Sequence, residues 1–169
     1  MDIEERVGGL DAAVPPGWTL RPTKAFGTHV GPFYNPPGGD ADGCGFVASP
    51  KHGNKRGVVH GGMIATAFDV ALGNASWHAA GGKPCATVQL NVTYVGALQV
   101  GEFAAVAAEI IKATRSIVFL RGTMRAGERV IATADGVWKI LAWRGEPFQP
   151  VPDGVPGGVP DGVPDGVPG

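Results

Sequence analysis

The longest patterned stretch runs from residue 61 to 78, where Met63, Ile64, Ala65, Ala67, Phe68, Val70, Ala71 and Leu72 leave almost no polar face. Gly81, Gly82 and Pro84 close it, so the spacing predicts a helix from about residue 61 to 77 or 78. A helix apolar nearly all round is normally buried. After Pro84 the apolar period shortens to about two residues. Within 87–94, Val88, Leu90, Val92 and Tyr94 share one face and polar residues fill the other, which predicts a strand. Further strands are expected over 102–112, 116–124 and 129–141, and the short breaks between them imply an antiparallel meander. Upstream, 31–35 and 43–49 flank Pro36-Pro37-Gly38-Gly39 and read as a hairpin, with a polar loop over 49–59.

One long apolar helix between a hairpin and four strands predicts an α+β protein, its antiparallel sheet curled around the helix and burying it. The expected organisation is an N-terminal arm over 1–20, one domain over 21–148 and a flexible tail over 149–169. In the tail, Val-Pro-Asp-Gly and Val-Pro-Gly-Gly units repeat. Each proline removes a backbone donor, so neither a helix nor a central strand can persist there.

Composition narrows the function classes. Of 169 residues, 44% are hydrophobic and 17% charged, with a net charge of -1, which suits a globular domain and gives no basic footprint for nucleic acid. The acidic start Met1-Asp2-Ile3-Glu4-Glu5 is not followed by an apolar segment, so export is not expected. No stretch offers the roughly 20 apolar residues of a membrane span. Cys44 and Cys85 form no Cys-x-x-Cys pair and read as free thiols in a reducing cytoplasm. Ser49, Ser76 and Ser116 lack the Gly-x-Ser-x-Gly context of a serine hydrolase. His60 and His78 are too far apart for a shared metal, and no Gly-Lys-Ser or Gly-Lys-Thr loop is present.

Within the apolar helix one charge stands out. Asp69 lies on a segment expected to be buried, where an unpaired carboxylate costs several kcal/mol. A buried, partly desolvated aspartate is also a stronger base than one in water. At the helix start, orphan N–H groups and the positive dipole end favour negative charge, and glycine at 61 and 62 admits a substrate close to the backbone.

The combination Asn-x5-His-Gly-Gly-x6-Asp, from Asn54 through His60, Gly61 and Gly62 to Asp69 and followed by the strand at 87–94, resembles the hotdog-fold acyl-CoA thioesterases of the PaaI-like group. The match spans roughly 31–141. The resemblance implies a homo-oligomer, dimer or tetramer, that hydrolyses acyl-CoA thioesters without a metal or organic cofactor. It implies that the Gly61 N–H meets the thioester carbonyl, that Asn54 and His60 shape the site, and that Asp69 activates water or attacks directly. Thr87 falls where some relatives carry a water-positioning hydroxyl. Coenzyme A carries phosphates, so Lys51, Lys55, Arg56 and Arg115 are candidate contacts, with Arg56 and Arg115 preferred. A hotdog protein that binds acyl-CoA without turnover is the alternative from another class, and a hotdog dehydratase the alternative enzyme.

Spacing adds a constraint. Asp69 follows Gly61 by eight residues, which at about 1.5 Å per residue separates them by about 12 Å along the axis. One chain cannot bring both groups to one carbonyl. Two antiparallel helices about a two-fold axis can, so the active site is expected to be shared between subunits.

Overall fold

The computed structural model describes residues 13–142. The tail expected at 149–169 and residues 1–12 of the expected arm lie outside the described residues. In chain order the elements are β1 (Thr19–Arg21), α1 (Phe26–Val30), β2 (Phe33–Asn35), β3 (Gly43–Val47), α2 (Gly61–Ala79), β4 (Cys85–Tyr94), β5 (Phe103–Ala113), β6 (Ile117–Ala126) and β7 (Arg129–Ile140). Single turns of 3-10 helix occupy Asp40–Asp42 and Pro50–His52. The seven strands form one sheet in the order β1-β2-β3-β5-β6-β7-β4, every pair antiparallel. The expected hairpin is β2 and β3. Strand β1 crosses the position where the arm was expected to end, and it pairs with β2.

Helix α2 packs on β3 through β7. Its Met63, Ile64, Ala67, Phe68, Ala71, Leu72 and Ala75 are buried in the same cluster as Phe46, Val106, Leu120, Met124 and Trp138. Each large side chain so buried contributes about 1.5–3 kcal/mol relative to exposure. Gly122 on β6 lets the helix settle closely, because a Cβ there would lie 3.2 Å from both Leu72 and Phe68. At the other end of the helix, His78 Nε2 lies 2.8 Å from an Asp40 carboxylate oxygen and Asn74 donates to the Asp40 carbonyl at 2.6 Å.

The helix is not buried all round, and this corrects the expectation drawn from its apolarity. Gly62, Asp69, Trp77 and His78 are exposed, flanked by half-buried Ala65, Thr66, Val70, Gly73 and Asn74. The outward stripe scored as apolar because several of its members are alanine or glycine, small enough to face either way. Asp69 therefore carries no burial cost within a single subunit.

Strand β4 departs from strict alternation. Thr87 pairs with Trp138 and Gln89 with the adjacent Val137, so Val88 is the extra residue of a β-bulge. Val88, expected on the apolar face, is instead 64% exposed. The bulge inverts the facing of everything before it. Cys85 and Thr87 join Leu90, Val92 and Tyr94 on the helix side, where unbroken alternation would have turned Thr87 away. Beyond β4 no further strand pairs among the described residues, so one edge is open. No described helix is long and apolar enough to cross a membrane. Among the described residues, no three His, Cys, Asp or Glu side chains gather as a metal site.

Candidate active site

The start of α2 is built by a folded-back loop. Gly53 bridges Val59, and the His60 N–H donates to the His52 carbonyl at 2.8 Å. Between them, Asn54 to Gly57 make a tight turn in which the Gly57 N–H reaches the Asn54 carbonyl at 3.0 Å and Gly57 takes a φ of 80°. The Asn54 side-chain oxygen accepts from the Arg56 N–H at 2.8 Å, which stabilises the turn. Arg56 sits exposed on that turn.

His60 is the N-cap of α2. Its Nδ1 accepts from the Gly62 N–H at 2.9 Å, and its carbonyl accepts from Met63 at 2.9 Å. With Nδ1 an acceptor, the neutral imidazole carries its proton on Nε2. The Gly61 N–H has no acceptor among the described residues. It is the one first-turn donor that neither the cap nor the turn engages, and so is free to donate to a negatively polarised group.

Two turns along, the exposed Asp69 accepts from Thr87 Oγ1 at 2.7 Å. The structure thus joins Asp69 with Thr87 and His60 with Gly62, and it keeps the two pairs at different levels of the helix. Asn54 is committed to its turn. Arg115 lies in the β5–β6 connection and lines a cleft with Lys83, Ile140 and Leu141, beyond the far end of α2. Neither arginine reaches the helix start.

A cleft of about 310 Å³ opens beside His60 and Gly62, lined also by Phe26, Val30, Lys51, His52, Met63 and Thr66. The sequence reading had no place for Phe26 or Val30 because α1 lacks a periodic signal. His52 holds that wall. Its Nδ1 accepts from the Ser49 N–H at 3.1 Å and its Nε2 bonds the Val30 carbonyl at 2.8 Å, and burial lowers its pKa below the ordinary imidazole range. Tyr94 was also missed. Read as one apolar residue on a strand, it donates its hydroxyl to the Gly61 carbonyl at 3.0 Å. The signal in the sequence was weak, a tyrosine ending an amphipathic strand with a polar tip beyond its apolar ring, and only the fold shows what that tip meets.

Comparison with known proteins agrees with the family resemblance and the fold. The family model of the thioesterase superfamily matches residues 56–133, from the turn before the helix to β7. A Pseudomonas aeruginosa protein that carries an esterase name is 33% identical over 91 residues, covering 53% of this chain and 68% of that one. Mouse acyl-coenzyme A thioesterase 13 is 32% identical over 76 residues, 45% of this chain and 54% of the mouse protein. The chain therefore spans only about half the length of the mouse relative. Among solved structures, zebrafish thioesterase superfamily member 2 superposes with a TM-score of 0.55 at 27% identity, over 57% of this chain and 72% of that one. A Bacillus halodurans protein solved with CoA superposes with a TM-score of 0.54 at 24% identity, over 58% of this chain and 66% of that one, and shares the fold.

Proposed function

This chain belongs to the thioesterase superfamily and has the hotdog fold, and from that premise we propose that it hydrolyses acyl-CoA thioesters to free acid and coenzyme A at sites shared between two subunits. The observation that carries the reading is the unengaged Gly61 N–H at a capped helix start, on the same helix as an exposed aspartate held by a threonine. The likeness to mouse acyl-coenzyme A thioesterase 13 supports the substrate class.

In this reading the thioester carbonyl accepts from the Gly61 N–H, which stabilises the oxyanion as the carbon becomes tetrahedral. His60 keeps the Gly62 N–H occupied, and its Nε2 face borders the cleft. Asp69 of the other subunit removes a proton from water or attacks the carbon itself, with Thr87 fixing the carboxylate. A single turnover in 18O-labelled water separates the two routes. Direct attack, with water then hydrolysing the anhydride at the aspartyl carbon, leaves the label in Asp69, whereas general-base attack places it in the released acid. Arg56 and Arg115, both exposed, supply positive charge for the phosphates of coenzyme A.

Sharing follows from reach. Gly61 and Asp69 are separated by about 12 Å along one axis, far more than an aspartate side chain spans. The open edge of β4 supplies the joint. On that strand Tyr94 touches Gly61 and Thr87 touches Asp69. Two copies of β4 paired antiparallel about Asn91 set Thr87 of one opposite Tyr94 of the other, the bulge at Val88 absorbing the odd residue. Each aspartate then arrives beside the partner's helix start.

The test follows free-thiol release from a panel of acyl-CoA esters. Asp69→Asn is expected to lose at least about a hundredfold in kcat. Equal rates for wild type and variant, or binding without turnover, would overturn the hydrolase reading. Mixing inactive Gly61→Pro and Asp69→Asn subunits is expected to restore about a quarter of wild-type activity. Half of the dimers are then hybrids, and each hybrid holds one intact site. No recovery from exchanged subunits would defeat the shared site.

A further inference from the structure

The peptide between Gly61 and Gly62 is gripped at both ends. Its N–H is held by His60 Nδ1 at 2.9 Å, and its carbonyl accepts the Tyr94 hydroxyl at 3.0 Å. The tyrosine ring also covers the glycine, since a Cβ on Gly61 would lie 3.3 Å from two ring carbons. Nothing about burial demands this bond. Tyr94 is 54% exposed, so water could serve its hydroxyl. The Gly61 carbonyl already lies where the helix ladder engages it from four residues on. The bond is therefore additional to what hydrogen-bond satisfaction requires.

Its effect is on aim. Two consecutive glycines at a helix start have more backbone freedom than any other pair, and first turns fray. An unengaged N–H on such a residue points steadily only if the flanking peptide planes are fixed. The preceding plane is fixed by the His60 carbonyl, which accepts from Met63 at 2.9 Å. The following plane is fixed by His60 and Tyr94 together. We propose that Tyr94 is a positioning residue for the reaction, a strap from the edge strand that holds the Gly61 N–H on the thioester oxygen. This rests on the hydrolase reading given above, and it adds a residue that touches neither the carbonyl carbon nor the water.

The experiment compares Tyr94→Phe, which keeps the ring and removes the hydroxyl, with wild type in two measurements. In steady-state hydrolysis, Tyr94→Phe is expected to lower kcat about tenfold at nearly unchanged KM. A mis-aimed oxyanion donor weakens the transition state and leaves ground-state binding intact. In amide hydrogen exchange by NMR, the Gly62 N–H of the variant is expected to exchange at least about fivefold faster, with the core amides of α2 unchanged. The second measurement needs no turnover. A protein without thioesterase activity would therefore sink the function while the strap is still tested. Wild-type kcat together with wild-type Gly62 exchange overturns the proposal. So does a kcat loss accompanied by a changed oligomeric state or by faster exchange throughout α2, because the tyrosine would then be an ordinary structural or interface residue.

Discussion

The Gly62 N–H on His60 is a bond within the linear motif, and the hydroxyl of Thr87 on the Asp69 carboxylate joins the motif to the strand that follows it. That is why the motif and the strand after it carried both pairs. The residues they did not carry act through the fold. His52 sits just before the motif with no periodic or spacing signal, yet both its ring nitrogens are engaged and it is 4% exposed. Burial lowers its pKa, so the native state resists a proton that the unfolded chain accepts below an ordinary value of about 6.5. Stability from this group is then complete above that value and falls as pH drops through it toward the lowered native pKa. Urea denaturation at pH 7.5, 6.5 and 5.5 is expected to show decreasing stability, and His52→Gln is expected to flatten the slope over that interval. An unchanged slope in the variant would assign the pH dependence to other groups. The buried thiol of Cys44, pushed up to about 12 by desolvation, takes no part in this range.

At the scale of elements, hydrophobic period placed most of the molecule. Helix α2 ends one or two residues from its expected limit, and β5, β6 and β7 lie within one or two residues of theirs. Period could not show the bulge in β4, because one extra residue leaves the composition of a strand unchanged. Nor could it show α1 or β1, at five and three residues too short to display a period. The bulge matters most to chemistry, since it alone turns Thr87 toward the helix. Thr87→Val removes the hydroxyl that holds Asp69 and keeps the β-branched shape, so the bulge and the β4–β7 pairing are kept. That substitution is expected to abolish most activity and to leave far-ultraviolet circular dichroism near that of wild type. A variant as active as wild type would show that Thr87 has no part in the site.

At the scale of the whole molecule, a single subunit has the sheet, the helix and both proposed halves of the site, set about two turns apart along α2. The offset of about 12 Å was legible from residue spacing, but only the structure shows that Thr87 touches Asp69 and Tyr94 touches Gly61, the contacts from which the proposed register is drawn. If two β4 strands pair about Asn91, that residue lies opposite its own copy. Asn91→Cys in a Cys85→Ser background is then expected to form an intersubunit disulfide under mild oxidation, read as a dimer band on a non-reducing gel. Cysteine at Thr93 is expected to cross-link poorly. The reverse preference would move the two-fold axis.

The open edge of β4 also bears on handling and on life in the cell. An unpaired strand edge with exposed Val88, Tyr94 and Val95 beside it can add strands from any chain that presents one. If the chains pair as proposed, a subunit separated by dilution would lose its partner's half of the site and at the same moment become a template for aggregation. Inactivation at low concentration is then partly irreversible, with scattering rising as activity falls. In that proposed arrangement, pairing of two chains would cover the exposed edge as well as complete the site.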